Sequence, residues 1–417
     1  MQAFEPGRTL PAKTVDFWFD YTCPYAYLGS TRAQGVAARM GAKLTYRPLL
    51  LGGVFRACGT PQELFATLSP AKAAHNGEDM QRWARKFGVV LKMPASHPMR
   101  SVDALRATLA TQIDPAVVDA FYRAYWVENA NIADRGVVRA VVESCGHDGA
   151  RVMAAIDTAA VKDDLRKRTD EAIALGIFGV PSWVVDGEHL YWGQDRIRFV
   201  EGLRRDAEPA AKPARAATLD VYWDFSSPFA YLGATQIARV AERTGAKVTW
   251  RPVLLGGLFR AIGSPDVPLA TFSQAKQKYI AKDLERWAAY LGVPYRFPSR
   301  FPVMTLKALR VYFALPEEAR GAYRDAVFKA IWADDRDLGD DAVLASCVPG
   351  GEAAARDALA RAGSDEVKAA LREATEHAQK EGVFGVPTFV THGARGRELH
   401  WGQDRLDLVE EALATEA

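Results

Sequence analysis

Two short loops carry the residues best suited to chemistry. Thr22-Cys23-Pro24-Tyr25 and Ser226-Ser227-Pro228-Phe229 each follow an aromatic-rich segment and lead into a helical pattern. Proline suits the first turn of a helix, where its missing N–H would have no partner. Cys23 and Ser227 are then N-cap residues, with free amides and the positive end of the helix dipole directed at their side chains. Two readings are open: the side chains cap the helices and do no more, or the same environment stabilises a thiolate. At Cys23 it would lower the thiol pKa from its reference of ~8.5; at Ser227, hydroxyl and amides would hydrogen-bond a thiolate brought by a ligand. A drop of two pKa units needs only about 2.7 kcal/mol.

Two further motifs accompany each loop. Val180-Pro181 and Val386-Pro387 are preceded by Phe-Gly and followed by strand-like residues. A proline opening a strand in a tight turn is a candidate for a cis bond, against an ordinary trans proline at a strand start. Trp-Gly-Gln-Asp-Arg occurs at Trp192 to Arg196 and again at Trp401 to Arg405. It places Gln194, Asp195, Gln403 and Asp404 near the start of the last helix of each half. The aspartates either cap that helix or accept hydrogen bonds from a ligand ammonium.

These motifs come in pairs because the chain is duplicated. DFWFDYTCPYAYLG (Asp16 to Gly29) returns as DVYWDFSSPFAYLG (Asp220 to Gly233), identical at seven of fourteen positions. YRPLLLGGVFR returns as WRPVLLGGLFR, GIFGVP as GVFGVP, and WGQDR unchanged, all in order and at offsets of 204 to 209 residues. Self-similarity at a period near 200 residues means two domains that each bury a core, unlike the short units of a solenoid. The expected organisation is a first domain over residues 1–204 with a helical insertion over about 61–175. An Ala- and Pro-rich linker follows at 205–218, then a second domain over 219–417 with an insertion over about 265–381.

In each copy an aromatic and β-branched strand (Val15 to Phe19; Leu219 to Trp223) leads through the proline loop into a helix (Tyr25 to Met40; Phe229 to Thr244). A second strand, Lys43 to Leu49 or Lys247 to Leu254, completes a β-α-β unit. Helical pattern follows: Leu284, Trp287, Ala288 and Leu291 share one face, as do Trp83 and Phe87. Strands Ser182 to Val185 and Thr388 to Thr391, a further short strand and a closing helix end each copy. The expected class is α/β, two tandem thioredoxin-like domains each interrupted by an all-helical insertion. In that fold the Val-Pro bond faces the nucleophile loop, which would leave the N–H and C=O of Val180 and Val386 to pair with an extended, peptide-like ligand.

Composition sets limits on the partner. Fifty-three Lys and Arg against 51 Asp and Glu give a formal charge of +2. No electrostatic excess exists for nucleic acid or an anionic membrane. The N-terminus has neither a basic start before an apolar stretch nor a small-residue cleavage site, and no apolar run approaches a membrane span. A cytoplasmic protein is expected. Its four cysteines, Cys23, Cys58, Cys145 and Cys347, include no C-x-x-C pair, and its seven histidines have no metal-ligand spacing. Cys58, Cys145 and Cys347 read as packed core cysteines.

Taken together, the Cys-Pro or Ser-Pro loop ending in Tyr-Leu-Gly, the R-P-x-L-L-G-G-x-F stretch, the helix Lys278 to Gly292, the G-V-F-G-V-P loop and W-G-Q-D-R resemble a known family. They are similar to 2-hydroxychromene-2-carboxylate isomerases, which group with kappa-class glutathione transferases in the DsbA-like branch of the thioredoxin superfamily. The resemblance covers nearly the whole chain, twice. It implies a glutathione site in which Ser227 activates the cofactor thiol, the backbone of Val386 ahead of Pro387 pairs with the glutathione cysteine, and Gln403 and Asp404 receive the γ-glutamyl group. Val180, Pro181, Gln194 and Asp195 hold the matching positions in the first copy, where Cys23 replaces the serine. The implied reaction is addition of the thiolate to a small aromatic or conjugated substrate, rotation about the former double bond, and departure of the thiolate.

Several positions depart from that pattern. Thr60 and Ser264, and Arg100 and Met304, stand where family members commonly carry asparagine. Ala26 occupies the place of a resolving cysteine, so a dithiol cycle within the first loop is excluded. The reading favoured is a glutathione-dependent isomerase or transferase centred on Ser227. The alternatives are a monothiol oxidoreductase using Cys23, or one copy serving as a non-catalytic scaffold. An internal pseudo-dimer of the two halves is expected, with further homo-oligomers open.

Overall fold

The computed structural model describes residues 14–203 and 217–414. The expected linker at 205–218 therefore lies almost wholly outside the described residues. Two compact units are present. Unit 1 comprises Met1–Leu68, Asn76–Arg204 and Phe272–Ile280; unit 2 comprises Ser69–His75, Arg205–Thr271 and Ala281–Ala417. The units thus follow the repeats except for one segment of each, which is grouped with the other repeat.

In unit 1, strands β1 (Thr14–Phe19), β2 (Lys43–Pro48), β3 (Ser182–Val185) and β4 (His189–Trp192) form a sheet in the order β2-β1-β3-β4. β1 runs parallel to β2, which the crossover helix Pro24–Met40 permits; β1–β3 and β3–β4 are antiparallel. Unit 2 repeats the plan with β5 (Thr218–Trp223), β6 (Lys247–Pro252), β7 (Thr388–Gly393) and β8 (Gly396–Trp401), in the order β6-β5-β7-β8. The helices between the second and third strands of each sheet form the inserted layer. Their N-termini are capped by Asp114, Asp134, Asp148 and Thr158 in the first repeat and by Asp340 and Ser364 in the second. The α/β class and the interrupted thioredoxin-like arrangement are as the sequence indicates.

The central strands are buried on both faces and read as continuous aromatic and apolar runs. Val15, Phe17, Trp18, Phe19, Leu219, Val221 and Trp223 expose 1% of their surface or less. The aromatics extend that core into the inserted helices: Phe19 meets Tyr122 at 5.8 Å and Trp223 meets Phe328 at 5.6 Å between ring centroids. Leu284, Trp287 and Ala288 are buried together on one helix face, as their spacing indicates.

One helix departs from the sequence reading. Pro24–Met40 is continuous, but its counterpart is interrupted at Thr235–Gln236, giving Pro228–Ala234 and Ile237–Thr244. At the interruption Thr235 Oγ1 donates to the Leu232 carbonyl at 2.7 Å and Gln236 Nε2 donates to Thr235 Oγ1 at 2.7 Å. The threonine contact is shared with the unbroken first copy, where Thr31 Oγ1 donates to the Leu28 carbonyl at 2.7 Å, so the glutamine contact is the one that differs. Among the described residues, no helix is long and apolar enough to cross a membrane.

Candidate functional site

Each nucleophile loop is built on a buried aspartate at the end of the first strand. Asp20, 1% exposed, accepts the amides of Thr22 (3.1 Å) and Leu51 (2.9 Å) and the Thr22 hydroxyl (3.1 Å). Asp224, also 1% exposed, accepts from the amides of Ser226 (2.9 Å) and Leu255 (2.7 Å) and from the Thr305 hydroxyl (2.7 Å). This explains the R-P-x-L-L-G-G stretch, because its second leucine presents the amide that ties the loop after β2 or β6 to the nucleophile loop. Burial raises both carboxyl pKa values, and the hydrogen bonds oppose it. The inserted helices clamp the same loops: Trp126 Nε1 donates to the Tyr21 carbonyl and Trp332 Nε1 to that of Phe225, each at 2.8 Å.

On this base Ser227 takes the N-cap position that the sequence indicates. Its Oγ accepts from the Ala230 amide at 3.1 Å and donates to the Val386 carbonyl at 3.0 Å. Cys23 has the same backbone conformation at the N-cap of Pro24–Met40, and its thiol donates to the Val180 carbonyl at 3.0 Å. Val180–Pro181 and Val386–Pro387 are both cis. So are His97–Pro98 and Phe301–Pro302, which the sequence reading does not single out.

Each nucleophile side chain takes one acceptor position on the carbonyl ahead of the cis proline, Cys23 on Val180 and Ser227 on Val386. The Val386 amide, in contrast, has no acceptor among the described residues. One expectation is corrected at Cys23, whose thiol pKa lies on balance above, not below, its ordinary value. Burial pushes it up to about 12; the amides of Ala26 and Tyr25 offset part of this, and the Asp20 carboxylate adds to it. Desolvation of the thiolate outweighs a helix terminus whose effect is ordinarily ~1 kcal/mol.

The Trp-Gly-Gln-Asp-Arg turns pack against the cis-proline loops. Gly193 and Gly402 have φ of 114° and 104°, a region open to glycine, and an aspartate Oδ1 folds back over each α-carbon. Asp195 pairs with Arg196 at 3.0 Å and Asp404 with Arg405 at 3.2 Å, so both carboxylates already face a guanidinium, a partner the sequence reading overlooks. Gln194 and Gln403 are each 3% exposed. Gln194 Nε2 is buried without a hydrogen-bond partner. The tryptophans lie on the loop glycines: a Cβ at Gly179 or Gly385 would stand 2.8 Å from the indole nitrogen of Trp192 or Trp401.

Four residues of this region have no role in the sequence reading, although Tyr279 lies within its helix Lys278 to Gly292. In unit 2, His75 Nε2 accepts the Trp401 amide and Lys72 Nζ lies 4.9 Å from the Trp401 ring. In unit 1, Tyr279 Oη accepts the Trp192 amide at 2.9 Å and Lys276 Nζ lies 5.4 Å from the Trp192 ring. The residues correspond in the repeat, Lys72 with Lys276 and His75 with Tyr279, so in each unit the pair comes from the other repeat. Burial lowers the Lys72 pKa. Only the doubled spacing of the two helices could have signalled these positions.

The remaining cysteines divide. Cys347 is buried, as expected for a core cysteine, but Cys58 and Cys145 are half-buried at helix ends. Each follows the last helical residue, where a side chain reaches the surface. Among the described residues, no group of three His, Cys, Asp or Glu side chains is placed to hold a metal ion.

The sequence relationships agree with this geometry. The family model of the DSBA-like thioredoxin domain matches residues 14–203 and again 218–414. The 2-hydroxychromene-2-carboxylate isomerase of Sphingobium xenophagum is 31% identical over 196 residues, covering 46% of this chain and 99% of that protein. Glutathione S-transferase kappa 1 of Homo sapiens is 28% identical over 208 residues, covering 47% of this chain and 90% of that protein. Among solved structures, a 2-hydroxychromene-2-carboxylate isomerase is 27% identical over 45% of this chain and 92% of its own, with a TM-score of 0.41. The chain belongs to the DSBA-like thioredoxin family, with two copies of the domain in tandem, and its relatives are enzymes named as isomerases and glutathione transferases.

Proposed function

We propose that the chain is a glutathione-dependent isomerase or transferase acting on a small aromatic or conjugated substrate, with Ser227 as its active centre. The observation that carries this reading is the Ser227 hydroxyl, which accepts the Ala230 amide and donates to the carbonyl ahead of a cis proline. When a thiolate arrives, that hydroxyl turns from the Val386 carbonyl and donates to the sulfur, and the helix N-terminus favours the negative charge. The Val386 amide, with no acceptor among the described residues, fits the backbone of an extended tripeptide. The buried Gln403 side chain and Asp404 suit a γ-glutamyl group; Val180, Pro181, Gln194 and Asp195 would do the same around Cys23 if that site binds. Bound there, glutathione would supply the nucleophile that adds reversibly to the conjugated system.

Cys23 is the basis of the alternative, a monothiol oxidoreductase. A thiol held to about 12 is almost entirely protonated near neutrality, and the thiolate is the nucleophile, so the observation favours Ser227. The relatives named isomerase and kappa transferase support the same choice. Calorimetric titration of the full chain with glutathione tests it. One equivalent per chain, lost in Ser227→Ala and kept in Cys23→Ala, is expected. No binding discards the cofactor, and binding that depends on Cys23 alone transfers the activity to the first copy.

A further inference from the structure

Unit 2 contains a cleft of about 400 Å³ that the thiol site does not use. It is bounded by the helices Pro228–Ala234 and Ile237–Thr244, by β6, and by the helix Glu317–Trp332. Its walls include the rings of Tyr231, Trp250 and Phe328 with Ile237 and Val248; Ser227, Val386 and Gln403 are not among them. The volume lies in the range of small-molecule sites, roughly 300–1,000 Å³.

One ion pair, Arg324 with Asp325, stands in this otherwise largely apolar setting. Arg324 is 7% exposed, and its guanidinium lies 3.4 Å from the Trp250 ring centroid. Nε and Nη2 both reach a single oxygen of Asp325 at 2.9 Å, and no other hydrogen-bond or ion-pair partner is recorded for this guanidinium among the described residues. The Asp325 side chain is 66% exposed, so the pair is a surface contact of small net worth. Nη1 keeps donors for a further anion.

The first repeat has neither feature. Val118 and Tyr46, both buried, hold the positions of Arg324 and Trp250, and the helix Pro24–Met40 is unbroken where the second copy is interrupted at Thr235–Gln236. Thr235 itself lines the cleft. The buried charge, the indole beneath it and the helix interruption thus occur together, in one copy only. A structural core would favour the first copy's valine, because a buried cation costs desolvation that packing does not return.

We propose that this cleft is a second ligand site, selective for a small aromatic carboxylate. Trp250, Tyr231 and Phe328 enclose the ring, and Arg324 holds the carboxylate through its free edge, where a planar guanidinium matches a planar acid.

Titration of the full chain with 1-naphthoate, followed by tryptophan fluorescence and calorimetry, tests the proposal. Saturable binding is expected, unchanged in Ser227→Ala and in the presence of glutathione. The neutral 1-naphthalenemethanol is expected to bind roughly 10-fold more weakly or worse, the loss typical of a hydrogen bond to a charged group. Arg324→Met should lose affinity by the same factor. Should Arg324→Met fail to fold, Ala238→Trp, placed on the exposed side of the cleft, is expected to abolish binding. Equal binding of acid and alcohol, retention in Arg324→Met or in folded Ala238→Trp, absence of saturation, or displacement by glutathione would each overturn the assignment.

Discussion

His75 accepts the backbone amide of Trp401 through Nε2 at 3.2 Å, and the equivalent residue of the second repeat, Tyr279, does the same for Trp192. A part-buried strand amide is satisfied in each unit by a side chain from the other half of the sequence. Replacing His75 or Tyr279 by Phe keeps the ring and removes the acceptor. Each change is expected to destabilise its unit by ~1–3 kcal/mol, the cost of a buried donor left without a partner. Denaturant unfolding measures this, and an unaltered midpoint in both variants would show that water replaces the side chains.

Cys23 is expected to be slow to alkylate. Cys23, Cys58 and Cys145 are all half-buried, but the Cys23 thiol is held protonated, so iodoacetamide at neutral pH should modify Cys58 and Cys145 first, with Cys23 reacting about 10-fold faster per pH unit as the solution becomes alkaline. The native thiol keeps its proton to about 12, whereas the unfolded chain releases it near ~8.5. Stability contributed by this group is therefore present below ~8.5 and is lost as pH rises toward the native value. Mass spectrometry of partially alkylated protein checks the order, and preferential labelling of Cys23 at pH 7 contradicts it.

Asp20 and Asp224 carry the opposite test at low pH. Burial raises both carboxyl pKa values in the folded state, so the native protein binds protons that the unfolded chain has released. Ionisation of these groups lowers stability as pH rises, while Asn at the same position does not titrate. Comparing wild type with Asp224→Asn, the balance is expected to move toward wild type as pH falls from 7 to 4. Thermal melts across that range read the difference, and a shift in favour of Asn on acidification would contradict burial as the dominant influence.

Gly385→Ala places a Cβ 2.8 Å from Trp401 Nε1, in a contact that neither the indole nor the loop can relieve without moving. Overpacking of this kind costs ~1–3 kcal/mol. The variant is expected to melt lower and to bind glutathione more weakly, because the displaced turn carries Gln403. Unchanged calorimetry would separate that turn from ligand binding.

The succession of strands and helices, the inserted helices and both proline loops were legible in the sequence because a doubled motif identifies itself and period-2 and period-3.6 patterns are local. Pairs that depend on distance were not. Asp20 and Asp224 lie three residues before Cys23 and Ser227 in both copies, yet only the folded chain shows the leucine amides they collect from the next loop. The thiol pKa was misjudged because the helix terminus is visible in sequence and desolvation is not. The helix interruption at Thr235–Gln236 was hidden by good helix formers on either side.

The grouping of Ser69–His75 with unit 2 and of Phe272–Ile280 with unit 1 bears on whether either half can be dispensed with. Once each half lends the other a stretch of its chain, neither can be deleted without leaving a gap in the survivor. The first copy is then needed for the histidine and lysine it contributes to unit 2, whichever residue stands at position 23.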